Sequence, residues 1–407
     1  MHFLYNFSIY LYTALMSIAA LFHPKAKKWI EGRNGWLGLL SAWRQKNAGI
    51  VYWFHCASVG EFEQGRPLIE ALREKNSSMK IVLTFFSPSG YEMRKDYPHA
   101  DLVMYLPADT TSNVSVFLDI LKPEKVFFIK YEYWANYFFG CKKRNIPLYI
   151  VSGILRPEQR FFGVFKPFWK KVLACVHTFF VQNKQTEMLL HGLEFSNVVL
   201  TGDTRYDRVT TIAKTAKPYP QLEKFSEGFV CLVGGSTWRA DEEVLQLVYE
   251  NLKGRIKLMI VPHEISENHI AEILRTWPHA ELWTKLTDSA LPESDVLILD
   301  TMGMLSAVYR YADTALIGGG FGAGIHNTLE AAVWGVPVAF GPRYGKFQEA
   351  IDLLERRAAV TDSQKERLAE KIIKLCLDGQ LRGQMSRAAA EMTAKSTGAT
   401  ALILNNL

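Results

Sequence analysis

An apolar segment followed by a glycine-rich loop, within residues 315–342, constrains the fold more strongly than any other part of the sequence. Residues 315–317 are Ala-Leu-Ile, which is typical of a buried parallel strand. Five glycines follow within seven positions, residues 327–334 have the composition of a helix, and residues 336–340 predict the next strand. A strand, a small-residue loop, a helix and a second strand form one unit of a parallel α/β sheet.

The same loop predicts a ligand site. Glycine lets a ligand approach main-chain amides, and a helix N-terminus attracts phosphate. Glu330 falls in the first turn of the predicted helix, where a carboxylate accepts hydrogen bonds from ribose hydroxyls. The pattern is neither G-x-G-x-x-G nor G-x-x-x-x-G-K-[ST], which disfavours dinucleotide and ATP sites. It resembles the nucleotide-sugar site of GT-B glycosyltransferases, and the alternative is that the glycines serve only the turns of a βαβ unit.

Predicted strands and helices alternate along the rest of the chain, whose 407 residues suffice for two domains with complete cores. A polar run with two prolines, at residues 210–226, predicts a linker between them. We therefore expect an α/β protein of the GT-B type, with two Rossmann-like, doubly wound parallel-sheet domains facing a central cleft. Residues 25–215 form the predicted acceptor domain, residues 216–407 the donor domain, and residues 1–24 an N-terminal membrane-anchoring helix.

The N-terminal segment, residues 3–22, contains no charged side chain. Twenty helical residues span about 30 Å, which is the thickness of the hydrocarbon core of a bilayer. Lysines at 25, 27 and 28 follow, and the positive-inside rule places them and the catalytic domains on the cytoplasmic face of the membrane. The polar residues in this segment leave a second possibility open, an amphipathic helix that lies in the interface. A cleaved signal peptide is disfavoured, because no charged region precedes the apolar run.

Charge divides unevenly between the two halves. Residues 1–215 carry 27 Lys+Arg and 17 Asp+Glu, whereas residues 216–407 carry 20 and 24. A basic first half beside an apolar N-terminus indicates an anionic surface or substrate. Nucleic acid is disfavoured, because the chain has no nucleic-acid-binding motif. Five scattered cysteines without a C-x-x-C pair indicate neither a zinc site nor a disulfide framework, and they favour a reducing compartment.

Two carboxylates follow predicted strands in the first half. Ser58, Gly60 and Glu61 come directly after the strand predicted at 50–55, and Glu132 follows the strand predicted at 125–129. Carboxyl ends of parallel strands meet at one edge of a sheet, so these side chains are expected to share a cleft. Glu61 is then a candidate general base, and the alternative is that it only complements the helix dipole.

Two arginines, Arg156 and Arg160, lie four residues apart after the strand predicted at 147–152. Arginine binds phosphate through two parallel hydrogen bonds, so the pair is a candidate phosphate clamp. The alternative is that both side chains belong to a solvated surface.

Taken together, the segments resemble one family, the 3-deoxy-D-manno-octulosonic acid (Kdo) transferases, which act on the lipid A precursor. The resemblance spans nearly the whole chain and is most specific in the order of three segments, SVGE, GGSTW and HNTLEAA. The other matching segments are HCASVGE, TFFSPSG, YLPAD, KYEYWAN, VSGILRPEQRFFG, GDTRYD, VPHE, DTMG and GIHNTLEAAVWGVPVAFGP.

The resemblance implies a reaction and roles for the candidate residues. Kdo would be moved from CMP-Kdo to the 6′-hydroxyl of the lipid A precursor (lipid IVA) at the inner membrane, with inversion at the anomeric carbon and without a metal or other cofactor. Glu61 would be the catalytic base. Support for the acceptor or Kdo would come from Ser58, Gly60, Glu132, Arg156 and Arg160. CMP would be bound by Arg205, Ser236, Thr237, His263, Gly303, Asn327 and Glu330.

The sequence departs from the family pattern in three places. Met304 stands where a glutamate often follows Met-Gly, no arginine separates Pro262 from His263, and the glycine loop before His326 is atypical. These departures affect the expected CMP contacts more than the reaction. Two rival hypotheses are another GT-B enzyme or epimerase that uses a UDP-sugar, and a non-catalytic, membrane-associated nucleotide-binding module.

Overall fold

Short runs rich in aliphatic and aromatic residues form fourteen strands in the part of the chain that the computed structural model describes, residues 1–159, 161–286 and 292–407. The strands of the first half are β1 (Val51–Cys56), β2 (Lys80–Phe85), β3 (Leu102–Tyr105), β4 (Lys125–Ile129), β5 (Leu148–Gly153), β6 (Thr178–Val181) and β7 (Val198–Leu200). Those of the second half are β8 (Val230–Thr237), β9 (Ile256–Pro262), β10 (Glu281–Leu282), β11 (Val296–Ile298), β12 (Thr314–Ile317), β13 (Val338–Phe340) and β14 (Ala359–Thr361).

The first sheet is parallel throughout, with the strand order β3-β2-β1-β4-β5-β6-β7. The order reverses between β1 and β4, which pair directly with Tyr52 opposite Lys125. In an open parallel sheet, ligands bind beyond the carboxyl ends of the strands at such a reversal. The segments that follow β1 and β4 therefore occupy the position in which this fold binds ligands.

Helices cover both faces of the first sheet, and aromatic side chains fill the space between the layers. Trp53 of β1 is fully buried and packs against Phe117, Phe128 and Tyr137 at ring-centroid distances of 4.9 to 5.3 Å. Edge and tilted packing of this kind stabilises a core beyond the area that it buries. The helices are α1 (His2–Ala19), α2 (Pro24–Glu31), α3 (Trp36–Lys46), α4 (Val59–Lys75), α5 (Pro88–Arg94), α6 (Thr111–Leu121), α7 (Ala135–Lys143), α8 (Lys166–Leu173), α9 (Lys184–His191) and α10 (Arg205–Thr215).

The second sheet has the strand order β10-β11-β9-β8-β12-β13-β14 and is also parallel. Its order reverses between β8 and β12, where Leu316 lies opposite Gly234. The helices around it are α11 (Pro220–Ser226), α12 (Arg239–Leu252), α13 (Glu267–Thr276), α14 (Leu305–Val308), α15 (Leu329–Ala332), α16 (Gln348–Glu355), α17 (Lys365–Leu377) and α18 (Gly379–Ser396), with 3-10 turns at Trp283–Lys285 and Tyr309–Tyr311.

The last ten residues belong to the first of two compact units, which comprises Met1–Arg208 and Gly398–Leu407, whereas the second comprises Val209–Thr397. The final helix, α19 (Ala399–Asn405), buries Ile403 in the first core, and Asp207 accepts hydrogen bonds from the main-chain N–H groups of Gly398 and Thr400. The expected extension of the second domain to residue 407 is therefore wrong for this segment, and the boundary near residue 208 falls inside α10 rather than at 215.

The N-terminal helix α1 docks on the first unit through polar side chains. The hydroxyl of Tyr5 donates to Asp109 Oδ2 at 2.6 Å and accepts from the main-chain N–H of Ala135 at 3.1 Å. The Asn136 side-chain amide donates to Asn6 Oδ1 at 2.8 Å. Within the described residues, no helix is sufficiently long and apolar to cross a bilayer.

Candidate functional site

The end of β1 turns directly into the first turn of α4 and carries Glu61 into the interior. Ser58 caps the helix, since its hydroxyl accepts a hydrogen bond from the main-chain N–H of Glu61 at 3.5 Å. The Glu61 side chain reaches back to accept a hydrogen bond from the main-chain N–H of Ala57. Glu61 is only 7% exposed, so its carboxylate is held in one position at the carboxyl end of the strand.

The environment of Glu61 favours its protonated form. Burial raises the pKa of Glu61 to about 8, and the negative charge of Glu132 contributes in the same direction. The hydrogen bond from Ala57 and the positive charge of Lys130 oppose this rise. A carboxyl group with a pKa near neutrality is a much stronger base than an ordinary glutamate, and such groups are concentrated at functional sites.

Glu132 follows β4 at the same edge of the sheet. The main chain leaves β4 through Lys130, which adopts the left-handed conformation with φ of 65°. Glu132 Oε2 accepts a hydrogen bond from Trp134 Nε1 at 2.7 Å and lies 3.4 Å from Nε2 of the buried His55. A non-glycine residue in this conformation costs about 1–3 kcal/mol, so the turn that presents Glu132 is maintained at an energetic cost.

Of the other residues predicted in the first unit, Gly60 and Arg156 are described, and Arg160 is not. Gly60 is exposed in the first turn of α4, and a Cβ atom added there would meet only Ser58 Oγ, at 3.9 Å. Arg156 is half-buried in the loop after β5, where its main-chain N–H donates to Gln159 Oε1 at 3.0 Å. Arg160 lies outside the described residues.

Arg205 was predicted to bind CMP together with residues of the second unit, but it lies in the first unit. Its guanidinium donates to Asp203 Oδ2 from Nε at 2.9 Å and from Nη2 at 2.6 Å. Asp203 also accepts from Gln64 Nε2 at 3.2 Å, one turn beyond Glu61 on α4. Burial opposes ionisation of Asp203, but the charge and hydrogen bonds of Arg205 lower its pKa below the usual value. This ion pair thus places a cationic side chain beside the helix that carries Glu61.

Sequence reasoning missed His55, Gln64, Lys130 and Asp203, which all support this site. His55, Lys130 and Asp203 belong to segments that were recognised as family motifs, HCASVGE, KYEYWAN and GDTRYD. Their proximity to Glu61 or Glu132 depends on the strand order, which a single sequence does not reveal. Gln64 has a recognisable signal, because it lies three residues after Glu61 on one face of α4.

In the second unit, the glycine-rich loop is a compact turn whose main-chain N–H groups donate hydrogen bonds to neighbouring segments or within the loop itself. The N–H groups of Gly318 and Gly319 donate to Gly235 O and to Asp241 Oδ2, both at 2.9 Å. Those of Gly322, Gly324 and His326 donate within the loop. The expectation that a helix of eight residues follows is wrong, because α15 spans only Leu329–Ala332. The predicted phosphate cradle is therefore wrong for these five amides.

Of the two carboxylates at the start of α12, Asp241 joins the ends of β8 and β12, and Glu242 binds the end of β8. Asp241 Oδ2 accepts from the N–H groups of Gly319 at 2.9 Å and Trp238 at 3.0 Å, and burial raises the pKa of Asp241 to about 6. Thr237 is fully buried, and its hydroxyl donates to Glu242 Oε1 at 3.1 Å. Since the Thr237 side chain is bound inside the unit, its predicted contact with a nucleotide would have to use its main chain.

Three ring side chains stack at the end of the second sheet. His263 follows β9 and lies 4.3 Å from His326 and 4.7 Å from Trp238, measured between ring centroids. Trp238 Nε1 donates to His326 Nε2 at 3.1 Å. Burial, together with His263, lowers the pKa of His326 to about 4, so the His326 ring is neutral at physiological pH. Ser236 lies two residues before Trp238 and adopts the left-handed conformation, with φ of 52°.

Asn327 and Glu330 form a third group at the same edge of the sheet. Glu330 Oε1 accepts from Asn327 Nδ2 at 3.0 Å, and Oε2 accepts from the hydroxyl of Ser306 in α14. Asn327 Oδ1 accepts from the N–H of Leu329, two residues further on, so Asn327 begins the short helix. Gly303, with φ of 88°, is exposed in the turn before α14.

A family model described as 3-deoxy-D-manno-octulosonic-acid transferase (kdotransferase) matches residues 31–208. Curated proteins with the name 3-deoxy-D-manno-octulosonic acid transferase are similar over most of the chain. The protein from Chlamydophila psittaci is 28% identical, covering 76% of this chain and 72% of its own length. The protein from Haemophilus influenzae is 23% identical, covering 94% and 92%.

The chain is similar to the Kdo transferases over most of its length.

Solved structures share the two-domain fold of this chain. Acinetobacter baumannii MurG aligns with a TM-score of 0.56 at 15% identity, covering 88% of this chain and 98% of that one. Neisseria meningitidis UDP-GlcNAc 2-epimerase, in a complex with UDP-GlcNAc, aligns with a TM-score of 0.57 at 14% identity, covering 85% and 98%. The two parallel-sheet α/β domains therefore resemble GT-B glycosyltransferases, and at this level of identity the likeness shows the fold alone.

The compact glycine turn predicts different responses to two alanine substitutions. A Cβ atom on Gly318 would lie 2.1 Å from the main-chain oxygen of Ser236, whereas one on Gly322 would meet Gly319 O at 3.5 Å. Gly318→Ala should therefore destabilise the second unit by about 1–3 kcal/mol or more, because main-chain atoms must move. Gly322→Ala is the matched control and should change stability little. Urea denaturation checks both, and equal midpoints would contradict the tight packing at Gly318.

Proposed function

We propose that this protein is a Kdo transferase that moves Kdo from CMP-Kdo to the 6′-hydroxyl of the lipid A precursor, with inversion at the anomeric carbon. The observation that carries the proposal is the buried Glu61 carboxylate, whose pKa is raised to about 8 at the strand-order reversal of the first sheet. The match to the Kdo transferase family model supports the substrate class, and relatives named as Kdo transferases cover up to 94% of the chain.

In this mechanism Glu61 acts as the general base. Ionised Glu61 takes the proton from the acceptor hydroxyl as its oxygen forms a bond to the anomeric carbon of Kdo. The bond from that carbon to the CMP phosphate breaks, and the phosphate oxygen leaves with the electron pair. One displacement of this kind needs one base and inverts the anomeric centre. Glu132 keeps the pKa of Glu61 high, and Lys130 limits the rise, so both tune the base without taking its proton.

The second unit supplies the proposed CMP site. Glu330 is oriented by Asn327 and Ser306, which suits a carboxylate that accepts hydrogen bonds from ribose hydroxyls. Ser236, His263 and the turn at Gly303 lie at other strand ends of the same sheet. Arg205, paired with Asp203 in the first unit, would balance charge on the departing phosphate.

The proposal predicts that Glu61→Gln abolishes transfer without unfolding the protein. The assay uses CMP-Kdo generated in situ and a tetra-acylated lipid A precursor in detergent, with the product identified by mass spectrometry. Wild type should add at least one Kdo, and the spectrum also gives the number added. Loss of a general base lowers the rate by about 10²–10⁴-fold. Glu63→Gln is the control, because this α4 carboxylate pairs with Arg94 at 2.9 Å.

Three results would count against this assignment. If Glu61→Gln retained more than a few per cent of the wild-type rate, Glu61 would not be the base. If wild type gave no Kdo product but consumed UDP-GlcNAc or another UDP-sugar, the rival activity on the same fold would replace the proposal. Binding of CMP with no turnover of any donor would favour the non-catalytic module.

The interaction between the two carboxylates predicts a change in pH dependence. Glu61 must be ionised to accept a proton, so kcat/KM should rise about tenfold per pH unit below the Glu61 pKa and level off above it. Glu132→Gln removes the negative charge that raises this pKa while keeping an oxygen acceptor for Trp134. The midpoint should move to lower pH by about half a unit or more. A profile that coincides with those of wild type and Glu63→Gln would show that Glu132 does not tune the base.

We further propose that the protein acts at the cytoplasmic face of the inner membrane, with α1 lying in the interface. Phe3, Phe7 and Phe22 are 79%, 59% and 82% exposed, and the lysines of α2 follow. Apolar side chains beside basic residues bind anionic lipid surfaces.

In flotation with vesicles of phosphatidylethanolamine and phosphatidylglycerol, wild type should float, and Phe7→Asp should float several-fold less. Met188→Asp, at an apolar position that is 65% exposed on α9, should behave as wild type. Equal flotation of both variants would contradict the role of α1.

A further inference from the structure

An apolar pocket of about 630 Å³ lies between α1 and the segments that follow β2 and β4, wholly within the first unit. Its size falls within the range of about 300–1,000 Å³ that is usual for small-molecule sites. Leu4, Ser8 and Ile9 of α1 form one wall, and Phe86, Trp134 and Phe168 lie opposite. The proposed transfer reaction, as described above, does not use this pocket.

Hydrogen bonds hold the α1 wall of the pocket against the rest of the first unit. Tyr5 and Asn6 are anchored by hydrogen bonds to Asp109, Ala135 and Asn136. Asp109 in turn accepts hydrogen bonds from the main-chain N–H groups at the start of α7, including that of Tyr137 at 3.0 Å. A ligand entering a preformed pocket loses less free energy to ordering of the protein, so the site is suited to binding.

The lining defines the chemistry of the occupant. Among the described lining residues, Glu132 is the one acidic side chain, and Ser8 donates its hydroxyl to Tyr5 O at 2.7 Å. The other lining side chains are aliphatic or aromatic, four of them tyrosines, and a phosphate or carboxylate group inside the pocket would be repelled by Glu132. An unbranched hydrocarbon chain satisfies the lining, because it requires no hydrogen-bond partner.

The position of Glu132 links the pocket to the reaction. Glu132 lines the pocket and also acts electrostatically on Glu61, so an apolar group bound there lies against a residue that tunes the proposed base. At the other side, α1 carries the exposed apolar residues proposed to contact lipid. A chain attached to the acceptor could therefore lie with one end at the reacting hydroxyl and the other toward the membrane surface.

We propose that this pocket binds one acyl chain of the acceptor and so places the acceptor hydroxyl at Glu61. The inference rests on the proposed function for the identity of the acceptor. Each methylene group removed from water raises affinity by about fourfold, so even a few buried carbons would change acceptor affinity strongly.

Two matched pairs of variants test the pocket. Ser8→Phe fills the pocket. The matched control is Ser17→Phe, which adds the same ring at another exposed serine of α1. The hydroxyl of Ser17, like that of Ser8, donates to a main-chain oxygen of the helix, here at 3.0 Å. Leu4→Gln makes the lining polar, whereas Leu11→Gln changes an α1 leucine that is 48% exposed and does not line the pocket. The second pair keeps the test decisive if Ser8→Phe fails to fold.

The first measurement is direct binding without donor. Dodecyl phosphate brominated on its terminal carbons quenches tryptophan fluorescence on contact, and Trp134 and Trp169 both line the pocket. Wild type, Ser17→Phe and Leu11→Gln should show saturable quenching with equal Kd. Ser8→Phe and Leu4→Gln should bind at least tenfold more weakly. Equal Kd values for the members of each pair would overturn the pocket assignment.

The second measurement separates the chain from the sugar. In the transfer assay, Ser8→Phe should raise KM for the tetra-acylated acceptor at least fivefold, with no change in KM for the fully deacylated phosphorylated disaccharide or for the donor. Normal transfer by Ser8→Phe at the wild-type KM would overturn the inference and leave the proposed function intact. If no variant transferred Kdo while the quenching difference persisted, the proposed function would fail and the pocket would stand as a hydrocarbon-chain site.

Discussion

The proximity of two carboxylates at one edge of the first sheet is the constraint on which the rest of this unit depends. Glu61 and Glu132 follow β1 and β4, and these strands are neighbours only because the strand order reverses between them. Burial and mutual repulsion both disfavour two negative charges there. The surrounding groups offset part of this cost, since Ala57 donates to Glu61, Trp134 donates to Glu132 and Lys130 supplies a positive charge. As a result, the Glu61 carboxylate is a much stronger base in this unit than it would be in water.

Other buried carboxylates in the chain perform structural tasks, which sets Glu61 apart. Asp109 joins α1 to the start of α7, Asp203 binds Arg205 and Gln64, and Asp241 binds the glycine turn to the start of α12. Each of these three carboxylates accepts at least two hydrogen bonds from groups that it fixes in place. Glu61 differs because a second carboxylate lies nearby, and its main-chain donors, Ala57 and Ser58, belong to the turn that directly precedes it. A group that is buried, raised in pKa and located at a ligand-binding edge fits a proton acceptor better than a structural anchor.

The sequence allowed the strands and the two carboxylates of the first unit to be predicted, because period, composition and strand ends are local properties. The glycine turn shows where local reasoning fails. Gly318 is required because the main chain of Ser236 lies against it, and that contact joins residues 82 positions apart. The uncharged N-terminal segment left a spanning and an interfacial helix both open for a similar reason. Tyr5 and Asn6 look like defects in a spanning helix, yet they are the groups that dock α1 on the unit. The pairing of residues 398–407 with the first unit likewise depends on distant partners such as Asp207.

The fold itself does not decide the chemistry. A UDP-GlcNAc 2-epimerase aligns with 85% of the chain at 14% identity, so two doubly wound domains are compatible with different reactions on nucleotide sugars. The family model, in contrast, matches residues 31–208, which contain Glu61, Glu132 and the ion pair of Arg205 with Asp203. The features that this family model recognises therefore lie in the first unit. There the buried carboxylate and the apolar pocket share Glu132, so any molecule that used both would need a hydroxyl group joined to a hydrocarbon chain.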